Sequence, residues 1–383
     1  MKWDALSGES YKSVKATGLQ RKPQLITLLE AASKGRNNLR LTDFSEVAID
    51  WAVDTGLGPL LYQATKAHPE AFSAQAWTLL KSADLTAKIT TPELHDAMAE
   101  ITDACRGCVD ALTLLKGISI CHLYPQPHLR PMRDLDVLVA VDDLPILESL
   151  LLKLGYIQKS ENPPEFYERH HHSMPFFHPE KRVWVEVHRQ IFPSATAVAS
   201  DWVFSPQNVA TQLRPLKFQA RRVNCLSDEL CLVYIASHWA SDLKVIAGMI
   251  GMLDAIHLLR NRAIDWKLLL TWVRGSIAST HLYLLLTYLD HYGLIDVSPE
   301  ILHQLFLQQR SFGRLNLRIV HTLIDYHLVE GNHFESEFSR RNLAILWQFL
   351  LLQGRPSRNL TLALWNLAPA LQRTNTCQST QGH

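Results

Sequence analysis

Strand patterns occupy only the middle of this chain, and long regions of helical periodicity lie on both sides of them. Over residues 1–105, apolar residues recur every three to four positions, which predicts an N-terminal helical region. Residues 106–226 contain short runs with strand periodicity among helical patterns. Helical periodicity returns over 227–372, and the polar stretch 373–383 predicts a disordered tail. This order predicts an α/β or α+β core between two helical regions.

Local signals place several of the predicted elements. Pro92 favours the first turn of a helix that runs to about Ala111. The apolar run 135–141 is typical of a buried strand, and Ser227 is the predicted N-cap of the helix that follows the core. Further strand-like runs are 156–158, 173–178 and 182–190.

The composition argues against two classes of protein. Lys and Arg total 38 and Asp and Glu total 37, and this balance disfavours general nucleic-acid binding. No run reaches the roughly 18 apolar residues that a membrane helix needs, and the first residues lack a secretory signal pattern. The six cysteines are few for a chain of 383 residues, which is typical of reduced thiols. We therefore expect a cytoplasmic protein without membrane insertion.

Two acidic residues stand at the start of the central strand pattern. Asp134 and Asp136 share one face, because side chains on a strand alternate with a period of two. At a spacing of about 7 Å they repel each other unless something neutralises them, and Mg²⁺ prefers hard oxygen ligands. The pair therefore predicts Mg²⁺ binding. The alternative is a solvated strand end at which two acids occur by chance.

A third carboxylate lies in a later strand pattern. The run 183–188 alternates strictly, with Glu186 and His188 on the face opposite three valines. A carboxylate in the middle of such a strand is unusual unless it is paired or metal-bound. If this strand lies beside the Asp134 strand, three carboxylates converge, as two-metal phosphoryl transfer requires. Asp134, Asp136 and Glu186 are therefore the predicted metal ligands and catalytic residues.

Basic residues and a glycine precede the acids. A glycine at a strand end before a helix lets backbone N–H groups approach phosphate, and a lysine adds positive charge. This pattern predicts nucleotide contacts by Lys116, Gly117 and Ser119. Arg130 and Arg133 flank the acids, where a guanidinium fits a phosphate clamp or an orienting ion pair; a plain surface charge is the alternative.

Several histidines have more than one candidate role. The run 170–172 is His-His-His, which fits either a polar strand entry or a transition-metal site. His172 and His188 are also candidates to hydrogen-bond phosphate or an acceptor. In the C-terminal helical region, His238 and Asp254 are candidates for the acceptor site, and the alternative is that they are buried hydrogen-bonding residues.

The order of these motifs resembles the uncharacterised bacterial nucleotidyltransferase family of the polymerase-β-like nucleotidyltransferase superfamily, over about residues 95–275. The resemblance implies a small mixed β-sheet with helices packed on it, in an α+β fold. It also implies Mg²⁺-dependent transfer of NMP from an NTP with release of pyrophosphate. By match, Asp134 and Asp136 are the metal-binding pair and Glu186 the third acid. The motifs are Lys116-Gly117, Arg133-Asp134-Leu135-Asp136, Leu154-Gly155-Tyr156 and Val185-Glu186-Val187-His188.

Together, the residues and the resemblance predict an enzyme that moves NMP, in the first instance AMP from ATP, to a hydroxyl or similar group. The acceptor is a small molecule or a protein. Two other interpretations stay open. One is a catalytically silent nucleotide-binding regulatory or interaction module on the same fold, and the other is a helical scaffold in which the two aspartates are incidental.

Overall fold

The computed structural model describes residues 46–308, apart from 111, 169, 195–197 and 242–248. The patterns predicted before residue 46 and after 308, including the tail 373–383, lie outside the described residues. The strands are β1 Thr113–Leu114, β2 Asp134–Leu138, β3 Ile157–Gln158, β4 Phe176–His178, β5 Val183–His188, β6 Leu213–Phe218 and β7 Arg221–Leu226. The α-helices are α1 Glu46–Asp54, α2 Gly58–Thr65, α3 Ala74–Cys105, α4 Lys116–Ile120, α5 Leu144–Lys153, α6 Pro164–Glu168, α7 Pro206–Thr211, α8 Asp228–Ser241, α9 Met249–Asn261, α10 Trp266–Trp272, α11 Ile277–His291 and α12 Pro299–Gln308.

The seven strands form one mixed sheet in the order β3-β4-β5-β2-β1-β7-β6. The pairs β2–β5 and β1–β7 are parallel, and the other neighbouring pairs are antiparallel. Helices precede and follow this sheet, so the predicted α+β class is confirmed. Among the described residues, no helix is both long enough and apolar enough to cross a membrane.

The hairpin β6–β7 was not predicted from the sequence. Its turn residues, Gln219 and Ala220, both have left-handed φ values, of 45° and 65°. This is the backbone of a two-residue hairpin turn, which Asn-Gly or Asp-Gly usually signals. Pro215 and charged side chains also interrupt the apolar alternation of β6. Both local signals are therefore missing, although the strands pair over their full length.

The helix expected to begin at Pro92 is instead the second half of α3, so that prediction was wrong. A proline inside a helix removes a hydrogen bond and costs about 3 kcal/mol. The buried stripe of α3 continues across this position, from Leu80 to Ile101, and the burial outweighs the local cost. The helix ends at Cys105, just before Gly107 takes a left-handed φ of 76°.

One face of the sheet is buried against α3 and α5. Leu135, Val137, Val185 and Val187 belong to one apolar cluster with the second half of α3. Because side chains alternate along a strand, the even-numbered residues of β2 and β5 project from the opposite face. That face carries the acids. The domain boundaries at 105/106 and 226/227 stay predictions.

A buried histidine makes the fold sensitive to acid. His281 of α11 is 2% exposed, and burial lowers its pKa to about 3, from an ordinary value of 6.5. As the pH falls below 6.5, the unfolded chain binds a proton that the folded chain excludes, so the free energy of unfolding falls with the pH until about pH 3. Between pH 6.5 and pH 5, the loss amounts to about 2 kcal/mol.

We expect His281→Gln to remove this contribution. The difference between the free energies of unfolding at pH 7 and pH 5, measured by urea denaturation, should shrink by about 2 kcal/mol. His303→Gln, on the exposed side of α12, is the control and should keep the wild-type difference. An unchanged difference in His281→Gln would contradict the assignment.

Candidate active site

The three predicted acids lie on two neighbouring parallel strands. The register places Asp136 beside Glu186 and Asp134 beside Trp184. The adjacency of the two strands, on which the predicted convergence depends, is thus present. Ligand atoms of Asp136, Glu186 and His188 all lie within 4.8 Å of one another. Asp134 is outside this group and lies one side-chain repeat away on the same face of β2.

Asp136 is the centre of the site. It is 2% exposed, and its Oδ1 accepts hydrogen bonds from Lys116 Nζ at 2.6 Å and from His188 Nε2 at 2.8 Å. Burial opposes ionisation, but the positive charge of Lys116 and the bond from His188 hold the pKa of Asp136 well below its usual range. Burial likewise opposes the charge of Lys116, yet Asp136 holds the pKa of Lys116 above its usual range.

The other two carboxylates have different environments. Burial, together with the charge of Asp136, raises the pKa of Asp134 to about 6. Glu186 Oε2 lies 3.6 Å from His188 Nε2 and 4.0 Å from Lys116 Nζ. Burial acts to raise the pKa of Glu186, but the opposing interactions, of which the hydrogen bond with His188 is the largest, outweigh it. The pKa of Glu186 therefore lies below its usual value. Carboxyls on one face with pKa values pushed apart are typical of acid–base sites.

The residues predicted to bind nucleotide are placed around this centre. Lys116, at the start of α4, reaches the acids, and Ser119 Oγ donates a hydrogen bond to the Lys116 carbonyl at 2.9 Å. Gly117 lies against two side chains: a Cβ there would be 2.6 Å from Met132 Cγ and 2.9 Å from Arg130 Nη1. The glycine therefore allows α4 to approach the segment before β2.

The model of a known protein family matches most of this chain. The family described as uncharacterised nucleotidyltransferase has a model that matches residues 45–293. This chain belongs to that family. Searches of curated proteins and of solved structures returned no match. The matched range is wider than the 95–275 of the sequence resemblance and contains every predicted site residue. Membership supports nucleotidyl transfer as the general activity, with an NTP as a substrate.

In this member of the family, Arg130 and Asp254 form one buried pair. Arg130 donates to Asp254 from Nε at 3.1 Å and from Nη2 at 2.9 Å, and Tyr124 Oη donates to Asp254 at 2.6 Å. Two-point pairing of this kind fixes both side chains and satisfies the buried charge. It ties the segment before β2 to α9, and the predicted contact of Arg130 with a nucleotide stays a prediction. Arg133 is exposed.

Two of the candidate histidines lie beside the acids, and the third lies on α8. His188 is fully buried and contacts Asp136, and His172 Nε2 lies 3.9 Å from Glu186 Oε2. Burial opposes protonation of His188, but its hydrogen bonds to Asp136 and Glu186 raise its pKa above the usual value. His238 lies on α8, where burial, with the charge of Lys116 adding to it, lowers its pKa to about 4.

Tyr234 of α8 is a neighbour of the site that the sequence did not single out. It is 3% exposed, and burial raises its pKa, with the nearby charges of Lys116 and Asp136 acting in opposite directions. The motif that signals the acids contains no information about α8, so only the packing of that helix reveals that Tyr234 lies near the charges of the site.

Gly117→Ala tests whether the glycine serves packing. The added methyl group would overlap Met132 and Arg130, and we expect a loss of about 1–3 kcal/mol in the free energy of unfolding. Gly251→Ala on α9 is the matched control, because its Cβ would meet Trp239 at an ordinary 3.5 Å. That control should be neutral or stabilising, since alanine favours a helix. Equal stabilities of the two variants would contradict the packing role.

Proposed function

We propose that this protein is a Mg²⁺-dependent nucleotidyltransferase that moves NMP, in the first instance AMP from ATP, to a hydroxyl or similar group of a small molecule or protein. The observation that carries the proposal is the parallel register of β2 and β5, which sets Asp136 beside Glu186 with Asp134 on the same face. ATP is the preferred donor because it is the most abundant NTP in cells. The near-zero net charge favours such acceptors over a polynucleotide.

The donor set fits Mg²⁺. Asp134, Asp136 and Glu186 offer carboxylate oxygens on one face, and oxygen is the ligand that Mg²⁺ prefers. The raised pKa of Asp134 reflects burial beside the charge of Asp136, which a cation would relieve. Two Mg²⁺ ions bound there would neutralise phosphate charge and stabilise the attacking and leaving oxygens.

The protein's own residues have separable tasks in the proposed reaction. The acceptor oxygen forms a bond to the α-phosphorus of the NTP while the bond to the bridging oxygen breaks, so pyrophosphate leaves. The proton of the acceptor goes to the Glu186 carboxylate, which is the more accessible of the two paired acids. Lys116 and His188 hold Asp136 ionised and in place. Lys116 also places positive charge where the phosphates of a bound NTP would lie.

A silent nucleotide-binding module remains the second candidate, and one observation favours it. Lys116 and His188 both contact Asp136, so the buried carboxylate is already neutralised by protein groups. The presence of all three acids favours the enzyme, because a site that has lost its chemistry has no need to keep them.

A turnover assay separates these candidates. The protein is incubated with Mg²⁺ and each of the four NTPs, with and without metabolites and proteins from a lysate, and pyrophosphate and NMP adducts are measured by mass spectrometry. We expect pyrophosphate and an adduct from wild type and from Glu180→Gln, in the exposed β4–β5 turn, but not from Asp134→Asn. Tight NTP binding without either product in this screen would favour the module, and no NTP binding would favour the helical scaffold.

A further inference from the structure

Three consecutive histidines form a compact cluster beside the acidic site. The ring centroids of His170, His171 and His172 lie 4.2–4.7 Å apart. One nitrogen of each ring lies within 4.8 Å of a nitrogen of the other two. Neighbouring side chains on an extended chain point to opposite sides, so this segment is bent to bring three rings together.

Backbone hydrogen bonds hold the cluster in place at the end of β5. The carbonyl of His171 accepts hydrogen bonds from the backbone N–H groups of Arg189 at 2.9 Å and Gln190 at 3.2 Å. Ser173 N donates to the Val187 carbonyl at 2.9 Å, and His172 bridges His188 in antiparallel fashion. A site whose backbone is fixed in this way is preorganised for a ligand.

The ring nitrogens are available for coordination. His172 Nδ1 bonds the Ser173 carbonyl at 2.7 Å, which makes Nδ1 the protonated nitrogen and leaves the lone pair on Nε2. The Nδ1 atoms of His170 and His171 are buried and have no hydrogen-bond partner among the described residues. Such atoms need a partner.

We propose that His170, His171 and His172 bind one transition-metal dication of the Zn²⁺ class, separate from the Mg²⁺ proposed for the acids. Imidazole nitrogens suit Zn²⁺, Co²⁺ and Ni²⁺, whereas Mg²⁺ selects oxygen. Three histidines leave a fourth tetrahedral position open, as in catalytic zinc sites. Glu186 Oε2 lies 3.9 Å from His172 Nε2 and would be the fourth ligand or would face the open position. The proposal does not rest on nucleotidyl transfer.

Metal binding without nucleotide tests the proposal. The protein is prepared without a polyhistidine tag and titrated with Zn²⁺ by calorimetry, in the presence of excess Mg²⁺. We expect one equivalent of Zn²⁺ in wild type, in the surface variant His303→Gln and in Asp136→Asn. In the double variant His170→Gln/His171→Gln, the affinity should fall by more than about 100-fold, because two ligands are lost and even one outer-shell partner is worth 10–100-fold.

X-ray absorption on Zn²⁺-loaded wild type gives a second readout that requires no variant. Three imidazole nitrogens in the metal's inner shell would support the site, and one or none would overturn it. Undiminished binding in the double variant would also overturn it. So would binding that is lost in Asp136→Asn but kept in the double variant, since the ion would then belong to the Asp136, Glu186 and His188 group. Circular dichroism establishes that each variant is folded.

Discussion

Replacing Asp136 with Asn is expected to abolish nucleotidyl transfer and to destabilise the fold. The activity should fall by about 10²–10³-fold or more, because the central anionic group of the site is lost. Asn is nearly isosteric, so the loss is one of charge. The free energy of unfolding should fall by about 3 kcal/mol, because Lys116 and His188 lose the carboxylate that both of them contact. Pyrophosphate release and urea denaturation measure the two effects.

A second substitution separates the two losses. Asp136→Asn combined with Lys116→Met removes both members of the ion pair, so stability should recover in part while activity stays absent. From the sequence alone, removal of an aspartate is expected to relieve repulsion between like charges. The structure reverses this expectation for Asp136. A single variant that is active, or as stable as wild type, would contradict the central role of this carboxylate.

What the sequence predicts well here is local. The period of two placed Asp134 and Asp136 on one face of a strand, and the alternation over 183–188 placed Glu186 and His188 on one face of another. Whether the two strands are neighbours, and in which register, depends on contacts between distant parts of the chain. From the sequence, the convergence of the three acids depended on the assumption that these two strands are neighbours. The parallel pairing of β2 with β5 meets that assumption.

Partners that are far apart in sequence could not be predicted. Lys116 was predicted to contact phosphate, and its bond to Asp136, 20 positions away, became visible only when α4 was placed beside β2. The pair between Arg130 and Asp254 spans 124 positions. Each of these residues carries a plain local signal, a charge near a motif or a charge in a helix. Its partner is determined by packing, about which a motif contains no information.

Replacing Glu186 with Gln is expected to separate nucleotide binding from turnover. Gln keeps the shape of the side chain and its packing between Lys116 and His188, but it cannot accept a proton from the acceptor. Loss of a general base lowers rates by about 10²–10⁴-fold. Binding of the Mg²⁺–NTP complex should change only a few-fold, because Asp134 and Asp136 remain on the same face of β2 and one Mg²⁺ ion is enough to hold the nucleotide. Single-turnover rates and calorimetric affinities measure the two quantities.

Two other glutamates provide the matched controls for that experiment. Glu168 at the end of α6 and Glu180 in the β4–β5 turn are exposed acids near the same strand in sequence, and neither lies opposite Asp136 in the β2–β5 register. Glu168→Gln and Glu180→Gln should therefore turn over as wild type does. Turnover of Glu186→Gln within a few-fold of wild type, with a large loss in either control, would place the third acid elsewhere. The adjacency of Glu186 to Asp136 would then serve only to balance the charges of Lys116 and His188.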